Sequence, residues 1–254
     1  MLFIPLLPLN VGRLCALLIL LTAFFHPAYA RIQAGGGIEL DVTRVIFSEK
    51  DKNGVTLKVH NKTDNVFLLQ AQFKAVDPST GLASGSVAAI QPMPFIVTPP
   101  LSRLEAHSEL VLRIRRNEVP LSDKKESVYF ISLRTIPAQK REEKTNYVAM
   151  VVVTNLKVFF RPYRLKKRVI DALSAEVRFL RNKNRLIVKN PTPYWLTFAS
   201  LQIGHFHFDN DHLRLMVPPQ GERVYRIPDR VSGEVKWELM DEDGWKTEIK
   251  RQEL

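Results

Sequence analysis

The hardest constraint on the fold comes from residues 147–162, Tyr-Val-Ala-Met-Val-Val-Val-Thr-Asn-Leu-Lys-Val-Phe-Phe-Arg-Pro. In an extended chain successive side chains point to opposite faces. Val148, Met150, Val152, Leu156, Val158 and Phe160 then share one face, and Ala149, Val151, Val153 and Phe159 the other. A strand here is apolar on both sides and needs cover on both. From Val148 to Phe160 it would run about 40 Å at ~3.3 Å per residue, well beyond the usual strand length. Either it is a buried central strand, or part of it awaits another chain. Lys157 shares its parity with Val153 and Phe159. An unpaired ammonium among apolar neighbours is costly, so that placement asks for an anionic partner.

The N-terminus carries Arg13, then an uncharged apolar run, then Ala28-Tyr29-Ala30. That order predicts a secretory signal peptide over residues 1–30, since the run is too short for a membrane span. The only cysteine, Cys15, lies inside this segment. An exported chain without cysteine has no disulfide framework and no thiol-based metal or redox site, so packed cores must hold it together. No later run is long and apolar enough for a transmembrane helix, so membrane insertion is not expected. A periplasmic location is. The formal net charge of +11 favours anionic partners. Export argues against nucleic acid, and the Arg and Lys residues are scattered rather than gathered in one tract.

Residues 38–47 form a strand whose apolar side changes hand near Thr43 and Arg44, as expected of an edge strand crossing from one sheet of a sandwich to the other. Val55, Leu57 and Val59 alternate with polar residues, and further short strands fall at 66–76, 95–97, 110–115 and 127–135. A charged hairpin loop at 137–146 leads into the long strand. After Arg161-Pro162 the aperiodic stretch 163–168 marks a domain boundary. Beyond it strands are predicted at 177–180, 185–188, 195–203, 206–208, 213–217, 223–227 and 235–239. No long helix is expected. The reading is all-β, with one sandwich over 31–162 and a smaller one over 163–254.

Five segments in order, Thr43 to Phe47, Phe95 to Glu105, Glu126 to Pro137, Leu156 to Pro162 and Asn190-Pro191-Thr192-Pro193-Tyr194, give the chain a resemblance to the periplasmic pilus-assembly chaperones, the PapD-like family. The resemblance implies two immunoglobulin-like β-sandwich domains in a boomerang arrangement. It also implies a chaperone that binds pilus or fimbrial subunits by donor-strand complementation and releases them by strand exchange at the outer-membrane usher. In that family an Arg near the mature N-terminus and a Lys before the aromatic-Arg-Pro segment anchor the subunit's C-terminal carboxylate, which here implies Arg44 and Lys157. The donated row becomes Val148, Met150 and Val152, with Val151 and Val153 facing the chaperone's own sandwich. Glu126, Arg161 and an acid from the second domain, taken as Asp241 with Glu242 and Asp243 as alternatives, become an inter-domain ion network. The short loop before the strand resembles the short-loop subgroup. An exposed apolar edge also gives the free form a route to self-association.

Residue chemistry alone leaves alternatives. Arg44 and Lys157 suit structural ion pairs with internal acids as well as a ligand carboxylate. His205, His207 and His212 with Asp209 and Asp211 form the one ligand-rich cluster. Its loose spacing favours a strand running into an Asx turn over a metal centre, so no metal and no cofactor are expected. No nucleophile elbow, zinc-protease helix or phosphate loop is present, so no enzymatic activity is expected. The competing function is a stand-alone exported β-sandwich that binds an anionic envelope or extracellular ligand.

Overall fold

The computed structural model describes residues 37–85, 92–138 and 150–254. The expected signal peptide, most of the 137–146 loop and Val148 lie outside the described residues.

The first sandwich packs two sheets. One has the order β1-β3-β7-β5, from β1 (Ile38–Leu40), β3 (Val55–Asn61), β5 (Phe95–Thr98) and β7 (Glu109–Arg116). The other has the order β2-β9-β8-β4-β6, from β2 (Arg44–Ser48), β4 (Phe67–Lys74), β6 (Leu101–Leu104), β8 (Ser127–Pro137) and β9 (Val152–Arg161). The expected sheet switch is present. Ile38–Leu40 pairs with β3 in the first sheet, and Arg44–Ser48 pairs in parallel with β9 in the second. Period-two alternation sends Leu57, Val59, Leu112, Ile114, Ile131, Leu133 and Val158 into the space between the sheets, where all are buried.

The second sandwich has sheets β10-β11-β14 and β13-β12-β15-β16. Its strands are β10 (Arg178–Asn182), β11 (Arg185–Asn190), β12 (Phe198–Ile203), β13 (Phe206–His207), β14 (Gly221–Arg226), β15 (Val235–Leu239) and β16 (Lys250–Gln252). Its separate core gathers Phe179, Leu186, Val188, Tyr225, Trp237 and Leu239. The helices are short: α1 (Ile170–Leu173), a 3-10 turn over Ser174–Glu176, and α2 (Asn210–Leu213). No described helix is long and apolar enough to cross a membrane.

The expected strand at 213–217 is different in the structure. Asp209 caps α2 by accepting the His212 N–H, so the chain coils at Asn210–Leu213, and only Val217 returns to pair with Leu196. His212 Nδ1 lies 2.7 Å from the same Asp209 carboxylate. The ligand-rich cluster is thus a short strand, β13, running into an Asx-capped turn, and no group of three or more potential metal ligands occurs among the described residues.

One device recurs in both sandwiches. Asn61 closes β3 by donating to the carbonyls of Asn65 and Glu105 while accepting from Thr63. Asn190 closes β11 by donating to the carbonyls of Tyr194 and Pro218 while accepting from Thr192. A buried amide satisfied on both sides fixes where each strand ends.

Candidate functional site

The site grows from β9. Its antiparallel pairing with β8 runs the whole length, from Ser127 opposite Phe160 to Thr135 opposite Val152. On the other side β2 begins only at Arg44, opposite Lys157, and continues to Ser48 opposite Arg161. Residues 152–156 therefore have no strand partner on that side among the described residues. This is a bare backbone edge, the feature that soluble sheets usually cover or charge.

Burial divides the strand at the same point. Leu156, Val158 and Phe160 enter the first core. Phe159 is buried on the opposite face, where Arg44, Ile46, Ile170, Trp195 and Met240 surround it in the seam with the second sandwich. N-terminal to Leu156 the apolar residues are open: Met150 is 76% exposed and Val152 43%. Val151 and Val153, expected to hold the strand against its own sandwich, are 42% and 47% exposed. That expectation is corrected, because both faces of 150–153 are exposed to water.

Where the bare edge ends, two cations stand side by side. Arg44 and Lys157 are direct partners in the parallel ladder. Arg44 donates through Nη1 to the Met240 carbonyl at 3.3 Å and lies over the Phe159 ring at 5.9 Å. Its Nε is buried without an acceptor. The half-buried Lys157 ammonium has no acid or hydrogen-bond partner among the described residues. Burial, reinforced by the Arg44 charge, lowers its pKa to about 8. Burial likewise lowers Arg44, against the pull of Asp241, Glu242 and Glu126. Two like charges therefore stand side by side at a half-buried position, neither of them ion-paired with an acid among the described residues, where an anion would be held more strongly than in open solvent.

Arg161 occupies the seam behind them, 1% exposed. Its Nε donates to Glu126 at 2.7 Å, and its Nη1 donates to Glu242 at 2.8 Å and to the Lys166 carbonyl at 2.9 Å. Glu126 also accepts the Trp195 N–H at 2.8 Å, and its own N–H donates to the Pro193 carbonyl. Burial raises the Glu126 carboxyl to about 7 against the opposing pull of Arg161. The third partner is Glu242, not Asp241. Asp241 spends its carboxylate on the N–H groups of Asp243 and Trp245, which closes its own turn, while the longer Glu242 side chain reaches Arg161 and the Val169 N–H. Two contributors had no assigned role in the sequence: Tyr194, whose ring lies 4.9 Å from the Arg161 guanidinium, and Trp195. The neighbouring Asn-Pro-Thr-Pro-Tyr segment was their only signal.

Comparison with known proteins gives the family. Residues 37–166 match the family described as pili and flagellar-assembly chaperone, PapD N-terminal domain, and residues 169–250 match pili assembly chaperone PapD, C-terminal domain. The chain belongs to the PapD-like pilus-assembly chaperones. Among relatives of this PapD-like chain, the probable fimbrial chaperone LpfB of Escherichia coli O157:H7 is 33% identical over 221 residues, spanning 84% of this chain and 87% of LpfB. The crystal structure of the E. coli chaperone DraB superposes with a TM-score of 0.71 at 29% identity, covering 85% of this chain and 98% of DraB. The SafB chaperone of Salmonella enterica, solved in complex with SafA pilin, also gives 0.71, at 25% identity over 85% of this chain and 96% of its counterpart. The two sandwiches are accordingly the immunoglobulin-like domains of that family.

Proposed function

We propose that this chain is a periplasmic chaperone for pilus subunits. Residues 1–30 direct export and are removed, 31–162 form the subunit-binding domain, and 163–254 form its supporting partner. A subunit strand adds to the free edge of β9, with Val148, Met150 and Val152 filling its apolar groove, while Arg44 and Lys157 bind its C-terminal carboxylate. Release follows when another subunit's extension displaces the strand at the outer-membrane usher. No nucleotide or catalysis is required.

The observation that carries this reading is the continuity of the bare edge at 152–156, and of the exposed apolar side chains at 150–153, with a cation pair that lacks an acid partner among the described residues. Val152 lies five residues before Lys157, about 17 Å at ~3.3 Å per residue. A partner strand whose terminal carboxylate sits on the cations therefore runs alongside the exposed valines. Backbone pairing supplies affinity and alternate side chains supply specificity. Burying three such side chains at about 25 cal/mol per Å2 contributes several kcal/mol against the costs of association. The SafB chaperone, with the same fold, is solved with a pilin bound.

Val152→Asp is the test. Val152 is too exposed to matter to the chaperone's own core, so the variant should fold normally. It should nonetheless lose most of the pilus subunit that the unmodified protein maintains in the periplasm, because a carboxylate cannot enter an apolar groove unpaired. Unchanged subunit levels in cells carrying Val152→Asp would contradict the reading.

A further inference from the structure

Arg44 belongs to the first sandwich, yet its side chain donates a hydrogen bond to the second, to the carbonyl of Met240. That carbonyl is firmly held. Met240 donates its N–H to the Thr197 carbonyl and bridges to Lys246 across a turn that follows β15. Asp241 closes the turn by accepting from the N–H groups of Asp243 and Trp245 and by donating its own N–H to the Trp245 carbonyl. The same turn also touches the residue before Arg44. Gly244 has a φ of +90°, and a Cβ built on it would overlap the Thr43 hydroxyl, with the Thr43 Cβ 3.3 Å away. A glycine is required there twice, by backbone conformation and by the close approach.

We infer that the turn from Met240 to Trp245 is a positioning element for the carboxylate anchor, with Gly244 as its specificity-determining contact. The turn fixes Arg44 from two sides. Its Met240 carbonyl takes one guanidinium nitrogen, and Gly244 sets the height of Thr43 and hence of the backbone that carries Arg44. The guanidinium is thus held over the Phe159 ring with its Nε left without an acceptor, beside Lys157, its partner in the ladder. The second domain thereby contributes to carboxylate recognition without touching the ligand. Preorganisation of this kind lowers the ordering cost of binding.

This inference rests on the carboxylate-anchor reading above, and one experiment separates the two. The purified protein is titrated with a synthetic peptide of alternating valine and threonine, prepared with a free C-terminal carboxylate and as its amide. The ratio of the two affinities isolates the anchor, because strand pairing is common to both forms. The unmodified protein should prefer the carboxylate. Gly244→Ala should reduce that preference on the order of tenfold, the size of one misdirected charge-assisted hydrogen bond, while leaving amide binding unchanged. Thr43→Ala, which removes the hydroxyl that Gly244 packs against without changing any charge near Arg44, should reduce the preference in the same direction and carries the test should Gly244→Ala not fold. A turn that merely stabilises the second sandwich would lower the unfolding midpoint and leave the ratio intact, and that result overturns the inference alone. Equal or absent binding of both peptides by the unmodified protein overturns the anchor reading and this inference with it.

Discussion

Replacing Lys157 by alanine is expected to raise the dissociation constant for a pilus subunit by on the order of a hundredfold, while costing the free chaperone none of its stability. The affinity loss follows from removing a charge-assisted bond to a carboxylate at a half-buried site, about 1.5–3 kcal/mol. The absence of a stability loss follows from what surrounds Lys157. It has no acid partner among the described residues, and Arg44 faces it across the ladder. Removing one of two like charges relieves burial and repulsion together. A structural ion pair would behave in the opposite way, so denaturant unfolding of Lys157→Ala distinguishes the roles. The pH dependence carries the same signature. Burial and Arg44 lower the Lys157 pKa from 10.5 to about 8. Between these values the unfolded chain holds a proton that the folded chain lacks, so this group's penalty, full below pH 8, is relieved as pH rises toward 10.5. Carboxylate binding runs the other way, weakening above pH 8 as the ammonium is lost. Opposite slopes for stability and subunit affinity above pH 8 are therefore expected. Parallel slopes would assign Lys157 a structural role.

Arg161→Met is expected to destabilise the protein by about 3–5 kcal/mol, since it leaves Glu126 and Glu242 buried without their shared cation. Two carboxylates then face each other in the seam. Burial already raises the Glu126 carboxyl from 4.5 to about 7 and Arg161 opposes it, so without Arg161 the penalty at Glu126 is full at alkaline pH and relieved as pH falls toward 4.5. Urea unfolding at pH 8 and pH 5 measures both effects, with the larger loss expected at pH 8. A loss below about 1 kcal/mol, equal at both pH values, would mean that Tyr194, Trp195 and the backbone contacts hold the seam without the ions.

The sequence carried the core-facing rows well, because Leu57 and Val59, or Leu156 and Val158, alternate with the period that a pleated sheet imposes. The crossing between sheets at Thr43 and Arg44 was legible for the same reason, as a change of parity. Parity could not disclose where cover stops. Val151 and Val153 alternate as core valines do, but a face is buried only as far as a neighbouring layer reaches, and that depends on the ends of other strands. Parity also fails in turns. Asp241, Glu242 and Asp243 are chemically close neighbours, and only the turn geometry gives Asp241 to backbone N–H groups and frees Glu242 for Arg161. At α2, the Asp209 cap outweighed an apolar spacing that suited a strand. The roles proposed for Arg44 and Lys157 rest on the family resemblance and on two cations set among apolar neighbours.

The central claim is that the open edge of β9 becomes a shared ladder with a subunit. Amide hydrogen exchange at residues 150–156, measured in the free chaperone and in its complex with a co-purified pilus subunit, tests this most directly. Exchange at these amides should slow by orders of magnitude in the complex while the amides of β10 to β16 change little. A stable complex in which residues 150–156 exchange as fast as in the free protein would contradict strand donation.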